Sequence, residues 1–259
     1  MTRHSLQIVA DIYSDLHGES QLLEEHPVLR GVLSGLIWGK PAGSPVFDVL
    51  MNRLIDLFAY DTEELRQAHL ASAPVEIAVD LDRLALTLQT PRHEAKTHWE
   101  PRHLPQVLDY LPEAVPLGLY GRGPIWLYAA VAMLAAPAPF FQFDARLGWV
   151  PAVLLRIDSI ASQSLLQFEL HNSSDFIHVE GILPFAYVDY GQIEMLTAPP
   201  IPAATGVVLS GKLSNWLFTS LARTYRAAPW IAVYQPQVGG AVVVCSADNT
   251  HAVGDCILL

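Results

Sequence analysis

The sequence predicts a mixed α/β protein in which one unit of about ninety residues occurs twice in tandem. Leu119–Leu127 reads LYGRGPIWL, and Leu209–Leu217 reads LSGKLSNWL. In both places a strand-like run, a glycine turn, a helix and a second strand follow one another, as in the crossover unit of a partly parallel sheet. Trp126 and Trp216 each lie thirteen residues before a proline. We therefore expect two copies of the unit, packed around a pseudo-two-fold axis as an internal dimer.

The composition bounds the class of protein. Of 259 residues, 51% are hydrophobic and 16% are charged, which favours a sizeable core over disorder. The net charge of -11 argues against a general affinity for long nucleic acids, whose backbones need a basic surface. Cys245 and Cys256 lack a metal-ligand spacing, and the apolar run Ile125–Phe141 is interrupted by prolines. These features predict a reduced, soluble cytoplasmic protein that binds no membrane.

Residues 1–73 are predicted to form a small N-terminal helical region. Ser44 is a candidate N-cap, with Pro45 at the first helical position. Four apolar residues then share one helical face: Val46, Leu50, Leu54 and Phe58. The region carries more acids than bases, so its outer surface is expected to be acidic and solvated.

The first copy is assigned to residues 74–156. Val75–Gln89 alternates in the manner of strands, with a turn near Asp82. A short helix is predicted around Pro105–Leu111. The remaining elements are a strand at 115–120, the Gly-Arg-Gly turn, a helix at 124–136, and strands at 140–143 and 149–155.

The second copy is assigned to residues 157–259 and repeats the order. It begins with two predicted strands, LLQFEL and FIHVEGI. A strand at 207–210, a glycine turn, a helix at about 214–226, and strands at 231–234 and 241–245 follow. Ligands of such crossover units sit beyond the carboxyl ends of the strands, near the glycine turn and the helix N-terminus.

The sequence contains only fragments of known catalytic motifs. Asp11–Gly18 reads DIYSDLHG and contains the Asp-x-His-Gly of a metallophosphoesterase. Such enzymes need further ligands for two metals, whereas Gly-Asn-His is absent and the later Gly-Asp is Gly254–Asp255. The sequence has no Ser-His-Asp set, Gly-x-Ser-x-Gly elbow or Walker loop, and Gly121–Gly123 lacks the third glycine of a dinucleotide motif.

A basic cluster lies between the predicted strands of the first copy. Its members are Arg92, His93, Lys96, His98, Arg102 and His103. The cluster is a candidate phosphate grip or source of a general base. The alternative, a solvated polar loop on an acidic protein, is favoured.

Three residues of the first copy form a candidate anion site. Arg122 lies in the glycine turn, and Asp144 and Arg146 follow a neighbouring strand, so the three are expected to converge at strand ends. Arginines suit a phosphodiester, and an aspartate binds a metal ion or orients a hydroxyl. A turn aspartate beside a surface arginine is the alternative.

Taken together, GRGPIWL followed by FDARLG and a valine-rich strand resembles the third family of CRISPR-associated ring nucleases. The second copy is similar through SGKLSNWL, YQPQVGGAVVV and HAVGD. The resemblance covers roughly residues 74–259. It implies two tandem Rossmann-related (CARF-like) α/β domains in an internal pseudo-dimer. It also implies binding of cyclic tetra-adenylate between two chains, and manganese-supported cleavage that switches off an antiviral signal.

The same resemblance implies roles for individual residues. Asp144 and Arg146 would be catalytic, and the ligand would be held by Gly121, Arg122, Gly123, Gly211, Lys212, Ser214 and Asn215. The family's aspartate and arginine fall at Gln235 and Gln237 in the second copy. The family's two histidines fall at Ala136 and Leu155 in the first copy, and at Arg226 and Ala247 in the second.

The second copy is therefore expected to keep the ligand turn and to have lost the chemistry. A cyclic-oligoadenylate sensor or sponge without turnover is one alternative function. An interaction protein that binds no nucleotide is another.

Overall fold

The computed structural model describes residues 63–88, 92–93, 96–97, 99–144, 147–158, 165–183 and 190–259. The predicted N-terminal helices before Glu63 and the Asp11–Gly18 motif lie outside these residues. The described helices are α1 (Glu63–Ala71), α2 (Leu81–Thr87), α3 (Leu104–Tyr110), α4 (Ile125–Ala135) and α5 (Asn215–Thr224), with 3-10 turns at Pro101–His103, Tyr190–Met195 and Pro236–Val238.

The described strands build a four-stranded sheet, a six-stranded sheet and two two-stranded sheets. The longer strands are β1 (Ile77–Asp80), β4 (Leu117–Tyr120), β5 (Phe140–Asp144), β6 (Gly148–Pro151), β8 (Gln167–Asn172), β9 (Phe176–Ile182), β11 (Gly206–Gly211), β12 (Trp230–Gln235) and β13 (Gly240–Ser246). Two-residue strands complete the set: β2 (Arg92–His93), β3 (Lys96–Thr97), β7 (Arg156–Ile157), β10 (Thr197–Ala198) and β14 (Cys256–Ile257). The predicted mixed α/β class is confirmed.

The first sheet has four strands in the order β1-β4-β5-β6. β1 pairs with β4 in parallel, and β4 pairs with β5 in parallel. Helix α4 connects β4 to β5, as a parallel pair requires a crossover connection. Strand β4 is buried along its whole length, because it lies between two strands and beneath a helix.

The second sheet has six strands in the order β14-β13-β12-β11-β9-β8. β9, β11 and β12 run parallel to their neighbours in this series, and helix α5 connects β11 to β12. β13 pairs with β12 in antiparallel fashion, and β8 pairs with β9 in the same way. One face of this sheet packs a core of Val208, Trp230, Ala232, Ala241 and Val243.

The strand order β1-β4-β5-β6 of the first sheet therefore corresponds to β9-β11-β12-β13 of the second. The second sheet adds β8 and β14 at its two edges. The registers also agree, because Val79 pairs with Leu119 and Val179 pairs with Leu209. A shift of 100 residues thus relates β1 to β9, and a shift of 90 residues relates β4 to β11.

The two crossover helices pack against each other, and α4 also packs against β12 and β13. Helix α4 is apolar on all sides, as expected of a helix buried on all sides. Helix α5 instead presents hydroxyl groups to the first copy. Thr219 Oγ1 donates to Gln142 Oε1 at 3.0 Å, and the backbone N–H groups of Val153 and Leu155 donate to Ser220 Oγ and Thr224 Oγ1 at 3.2 and 2.9 Å.

One predicted element is wrong. The stretch after Asp80, expected to form a second strand, is the helix α2. The Asp80 side chain accepts hydrogen bonds from the N–H groups of Asp82 and Arg83, so it caps the helix at the place where a turn was expected. Leu84, Leu86 and Leu88 alternate in sequence, but Leu81, Leu84 and Leu88 also recur at the three- and four-residue spacing of a helix.

The described residues fall into two compact units. Residues 63–72, Asp144, 147–148 and 190–193 belong to the smaller unit, and the other described residues belong to the larger one. The two glycine turns and both crossover helices lie in the larger unit. No helix in the described part of the chain combines the length and apolarity needed to cross a bilayer.

Candidate functional site

A glycine turn lies at the carboxyl end of β4 in the first sheet and at the carboxyl end of β11 in the second. The first glycine turn is Gly121–Pro124 and the second is Gly211–Ser214. Gly121 has φ of 110° and Gly211 has φ of 119°, a region that side-chain-bearing residues rarely adopt. The N-cap residue that follows has φ, ψ of -68°, 152° at Pro124 and -68°, 153° at Ser214. The two turns therefore share their backbone conformation at the first glycine and at the N-cap residue.

Close approach to the neighbouring strand explains these glycines. A Cβ on Gly211 would lie 2.1 Å from the carbonyl oxygen of Gly181, and a Cβ on Gly181 would lie 2.6 Å from Leu213 Cδ1. A Cβ on Gly123 would lie 2.8 Å from Leu81 Cδ1. Each turn thus contacts a residue at the carboxyl end of the adjacent parallel strand: Leu81 directly after β1, and Gly181 near the end of β9. The second turn fits more tightly, because backbone meets backbone there.

In the first turn, Tyr128 of α4 donates its hydroxyl hydrogen to the carbonyl oxygen of Gly121. This bond ties the turn to the crossover helix. The side chain of Arg122 is exposed. A cationic side chain beside the first N–H groups of a helix is an arrangement that favours an anion.

In the second turn, the side chain of Lys212 is exposed, and no ion pair involves it within the described residues. Ser214 Oγ is buried and has no hydrogen-bond partner in the described part of the chain. Asn215 is the first residue of α5. A hydroxyl, an amide and an ammonium therefore cluster where the helix presents its first N–H groups.

The predicted catalytic pair is placed only in part. Asp144 is the last residue of β5, where its carbonyl oxygen accepts a hydrogen bond from the N–H of Leu147 at 3.1 Å. Asp144 belongs to the smaller compact unit and Arg122 to the larger one. Arg146 lies outside the described residues. The convergence of these three side chains stays a prediction.

The corresponding position of the second copy carries amides. Gln235 Nε2 donates to Gln237 Oε1, and Gln235 Oε1 is buried without a hydrogen-bond partner among the described residues. Gln235 ends β12, and Gly211 ends the neighbouring β11. The carboxyl edge of the second sheet thus brings together Gly181, Gly211 and Gln235, with no carboxylate at the family's aspartate position.

The structure places two side chains of the predicted basic cluster. Arg102 forms an ion pair with Glu100 at 2.5 Å, and His103 Nδ1 accepts a hydrogen bond from the backbone N–H of Glu100 at 3.1 Å. The side chains of Arg92, His93 and Lys96, and all of His98, lie outside what the structure describes. Arg102 and His103 thus hold the start of a 3-10 turn, which agrees with the polar-loop alternative.

Sequence reasoning missed a second polar group on the β8–β9 hairpin. Glu169 pairs with Glu180, and His171 pairs with His178. All four side chains lie on one face, because residues two apart on a strand point the same way. Both strands were predicted, so the alternation Glu-Leu-His in one and His-Val-Glu in the other was the signal that could have found the group.

His178 joins this group to the glycine turn. Its Nε2 atom lies 2.6 Å from Ser210 Oγ, and Ser210 directly precedes Gly211. Burial lowers the pKa of His178, the nearby His171 lowers it further, and Glu180 opposes the shift. The ring is therefore neutral near pH 7 and holds the end of β11 through a neutral hydrogen bond.

The family-model match lies within the second copy. Residues 183–258 match the family model described as CRISPR-associated protein (Cas_csx3), so this part of the chain is similar to CRISPR-associated proteins of that family. A protein of Aquifex aeolicus (strain VF5), described as "Uncharacterized protein", is 44% identical over 55 residues. The match covers 21% of this chain and 50% of the relative, so the chain spans half the length of the curated relative it matches.

The matched segment contains the second glycine turn, α5, β12 and β13. The first copy has the same strand order and the same turn backbone, although the match does not extend to it. The predicted relation to CRISPR-associated proteins is thus supported for the second copy.

Proposed function

We propose that the chain is a CRISPR-associated protein that binds a cyclic oligoadenylate, with cyclic tetra-adenylate favoured, through its two glycine turns. The observation that carries this proposal is the repetition of one turn backbone with an exposed cation in each copy: Arg122 in the first and Lys212 in the second. One of the two turns lies within the segment that matches the CRISPR-associated family.

The chemistry of the turns suits bridging phosphates. The first N–H groups of a helix lack intrahelical partners and carry a partial positive charge. An adjacent arginine or lysine adds a full charge, so each turn is a ready anion site on a protein whose net charge is -11. The rest of this acidic surface repels anions. The phosphates of the ligand are therefore expected to bind at the two turns and not elsewhere on the surface. A ring with repeated phosphates can engage two turns of one chain, or those of two chains.

Cleavage is assigned to the first copy. The ribose 2′-oxygen would attack the adjacent phosphorus, and the P–O bond to the 5′-oxygen of the next nucleotide would break, so that this oxygen leaves and takes up the proton lost by the 2′-hydroxyl. Asp144 and Arg146 would orient the 2′-hydroxyl and stabilise the charge on the phosphate, so that positioning supplies the acceleration. Manganese would support this step by the same resemblance. Gln235 and Gln237 supply neither the carboxylate nor the guanidinium charge of that pair, so the second copy binds without cleaving. The ligand is an intracellular signal, which places the protein in the cytoplasm under this proposal.

The experiment incubates purified protein with labelled cyclic tetra-adenylate, with and without Mn²⁺, and measures retention and products together. Retention with linear di-adenylate products supports the full proposal. Lys212→Gln and Arg122→Gln should each weaken retention about tenfold or more, since a hydrogen bond to a charged group contributes about 1.5–3 kcal/mol. Arg156→Gln is the matched control, because Arg156 pairs with Asp158 at the surface.

Asp144→Ala separates binding from cleavage. It should abolish products and leave retention unchanged, and cleavage at the wild-type rate would contradict the assignment. Retention without products in the wild type would make the protein a sensor or sponge. Absence of retention, with an unchanged melting temperature across cyclic oligoadenylates of several sizes, would favour a nucleotide-free interaction protein. One ligand per two chains would support the expected homo-oligomer.

A further inference from the structure

The hairpin β8–β9 carries a cluster with metal-ligand chemistry that the proposed function does not use. We call Glu169, His171 and Glu180 the Glu–His cluster. One ligand atom of each lies within 4.8 Å of the other two. The Nε2 atom of His171 is 3.8 Å from an oxygen of Glu169 and 3.8 Å from an oxygen of Glu180.

These separations fit a single ion. A point equidistant from three atoms at such separations lies at most about 2.8 Å from each, and bonds from Zn²⁺ to imidazole or carboxylate are about 2.0–2.2 Å. Closure of about half an ångström or slightly more onto bonds of that length is within reach of side chains that are 60%, 56% and 42% exposed at Glu169, His171 and Glu180. Their rotamers are not fixed by packing.

Electrostatics argues that the cluster needs a cation. Glu169 and Glu180 lie directly opposite each other, and like charges at directly opposed positions destabilise a strand pair. A solvent-exposed His171 at 3.8 Å is a weak counterion, because exposed ion pairs contribute little. The next pair along the hairpin, His171 and His178, opposes two imidazoles. A divalent ion bound by both carboxylates replaces the repulsion between Glu169 and Glu180 with two attractive metal–oxygen contacts.

We propose that the Glu–His cluster binds one divalent transition-metal ion of the Zn²⁺ or Mn²⁺ class. An imidazole among the ligands disfavours Mg²⁺ and Ca²⁺, which prefer oxygen alone. Three protein ligands leave at least one position for water. The ion links the edge strand β8 to β9. It also lies beside β11, which leads into the second glycine turn, because Glu180 of β9 pairs with Ser210 of β11. The proposal does not rest on nucleotide binding or on Asp144.

The experiment uses the full chain after treatment with a chelator. Zn²⁺, Mn²⁺ and Mg²⁺ are titrated separately by calorimetry, and bound metal is counted after dialysis, since other histidines of the chain add weak sites. The wild type should bind one Zn²⁺ or Mn²⁺ at least tenfold more tightly than the variant Glu169→Gln/Glu180→Gln, and Mg²⁺ should not compete. Glu113→Gln is the matched control, being an exposed glutamate outside the hairpin. Asp144→Ala should retain the ion.

Thermal unfolding gives a second readout. Added Zn²⁺ should raise the melting temperature of the wild type and of Glu113→Gln, but not that of the double variant or of His171→Gln. Equal numbers of bound ions at equal affinity in all variants would overturn the proposal, as would equal affinity for Mg²⁺. If the double variant melts far below the wild type without metal, His171→Gln, at an exposed position, decides the question alone.

Discussion

The two sheets share a turn and differ in what surrounds it. Gly121 and Gly211 adopt the same backbone, and the strands that flank them keep the same order. The strand beside the first turn ends in Asp80, which is buried and caps a helix. The strand beside the second turn carries Glu180 at the equivalent position, where it faces Glu169 of the edge strand β8.

The crossover helices differ in the same way. Where α5 carries Thr219, Ser220 and Arg223, a shift of 90 residues places Ala129, Ala130 and Met133 in α4. The polar groups of α5 bond to the first copy, and the corresponding residues of α4 offer only packing. Glycine and the close approach of the neighbouring strand thus maintain the backbone geometry of the glycine turns, while the side chains around the two turns differ.

The largest effect is expected from Gly211→Ala. The new methyl group would lie 2.1 Å from the carbonyl oxygen of Gly181, and φ of 119° is strained for alanine. Neither backbone segment can give way without breaking the β9–β11 pairing. We expect the free energy of unfolding to fall by about 3 kcal/mol or more, measured by denaturant titration.

Two glycine variants sharpen this result. Gly121→Ala shares the strained φ, but its methyl group would lie 3.3 Å from Leu81 Cβ, so it should cost less, about 1–3 kcal/mol. Gly239→Ala meets nothing within 4 Å and should cost about 1 kcal/mol, through conformation alone. Equal losses at Gly211 and Gly121 would show that strain in φ, and not the close approach, sets the cost.

An intermediate effect is expected from Arg223→Ala. Arg223 Nη2 donates to the carbonyl oxygens of Pro137 and Ala138, at 3.2 and 2.9 Å, just beyond the C-terminus of α4. Burial lowers the pKa of this guanidinium, and Arg226 lowers it further, yet it remains protonated and complements the helix dipole. Losing two charge-assisted bonds and the packing of the stem should cost about 2 kcal/mol.

Arg226→Ala is the matched control for this variant. Arg226 is exposed and lies two residues beyond the end of the helix, so its removal should change the free energy of unfolding by less than about 0.5 kcal/mol. If the two arginine variants unfold alike, the contact between α5 and the end of α4 contributes nothing, and the polar asymmetry of the crossover helices has no energetic consequence.

The repeated sequence pattern made most of the secondary structure predictable. Glycine turns, apolar strands and two helices at a fixed spacing located α4, α5 and the strands beside them within about one to three residues at each end. The stretch after Asp80 was wrongly assigned to a strand, because the capping role of Asp80 depends on backbone that turns directly after β1. Alternating leucines cannot distinguish a short helix from a strand unless the cap is recognised.

The candidate site was predictable in its backbone and less so in its side chains. Gly121 and Gly211 follow from the need for positive φ at a tight turn. The Glu–His cluster escaped because it depends on the register between β8 and β9, which a shift of one residue would have dispersed. The hydrogen bond between His178 and Ser210 joins residues 32 positions apart, and no local sequence pattern predicts it.

The smallest effect concerns Asp80 and Glu180, which occupy corresponding positions of the two sheets. Asp80→Ala removes the cap of α2 and should cost about 1–2 kcal/mol, whereas Asp80→Asn should cost only a fraction of that, since asparagine caps almost equally well. Glu180→Gln, measured without metal, should leave the free energy of unfolding unchanged or raise it slightly, because it relieves the opposition to Glu169. Denaturant titration of the three variants compares the positions directly. A loss at Glu180→Gln as large as that at Asp80→Ala would show that both acids hold the fold, and that the second copy has not freed this position for binding.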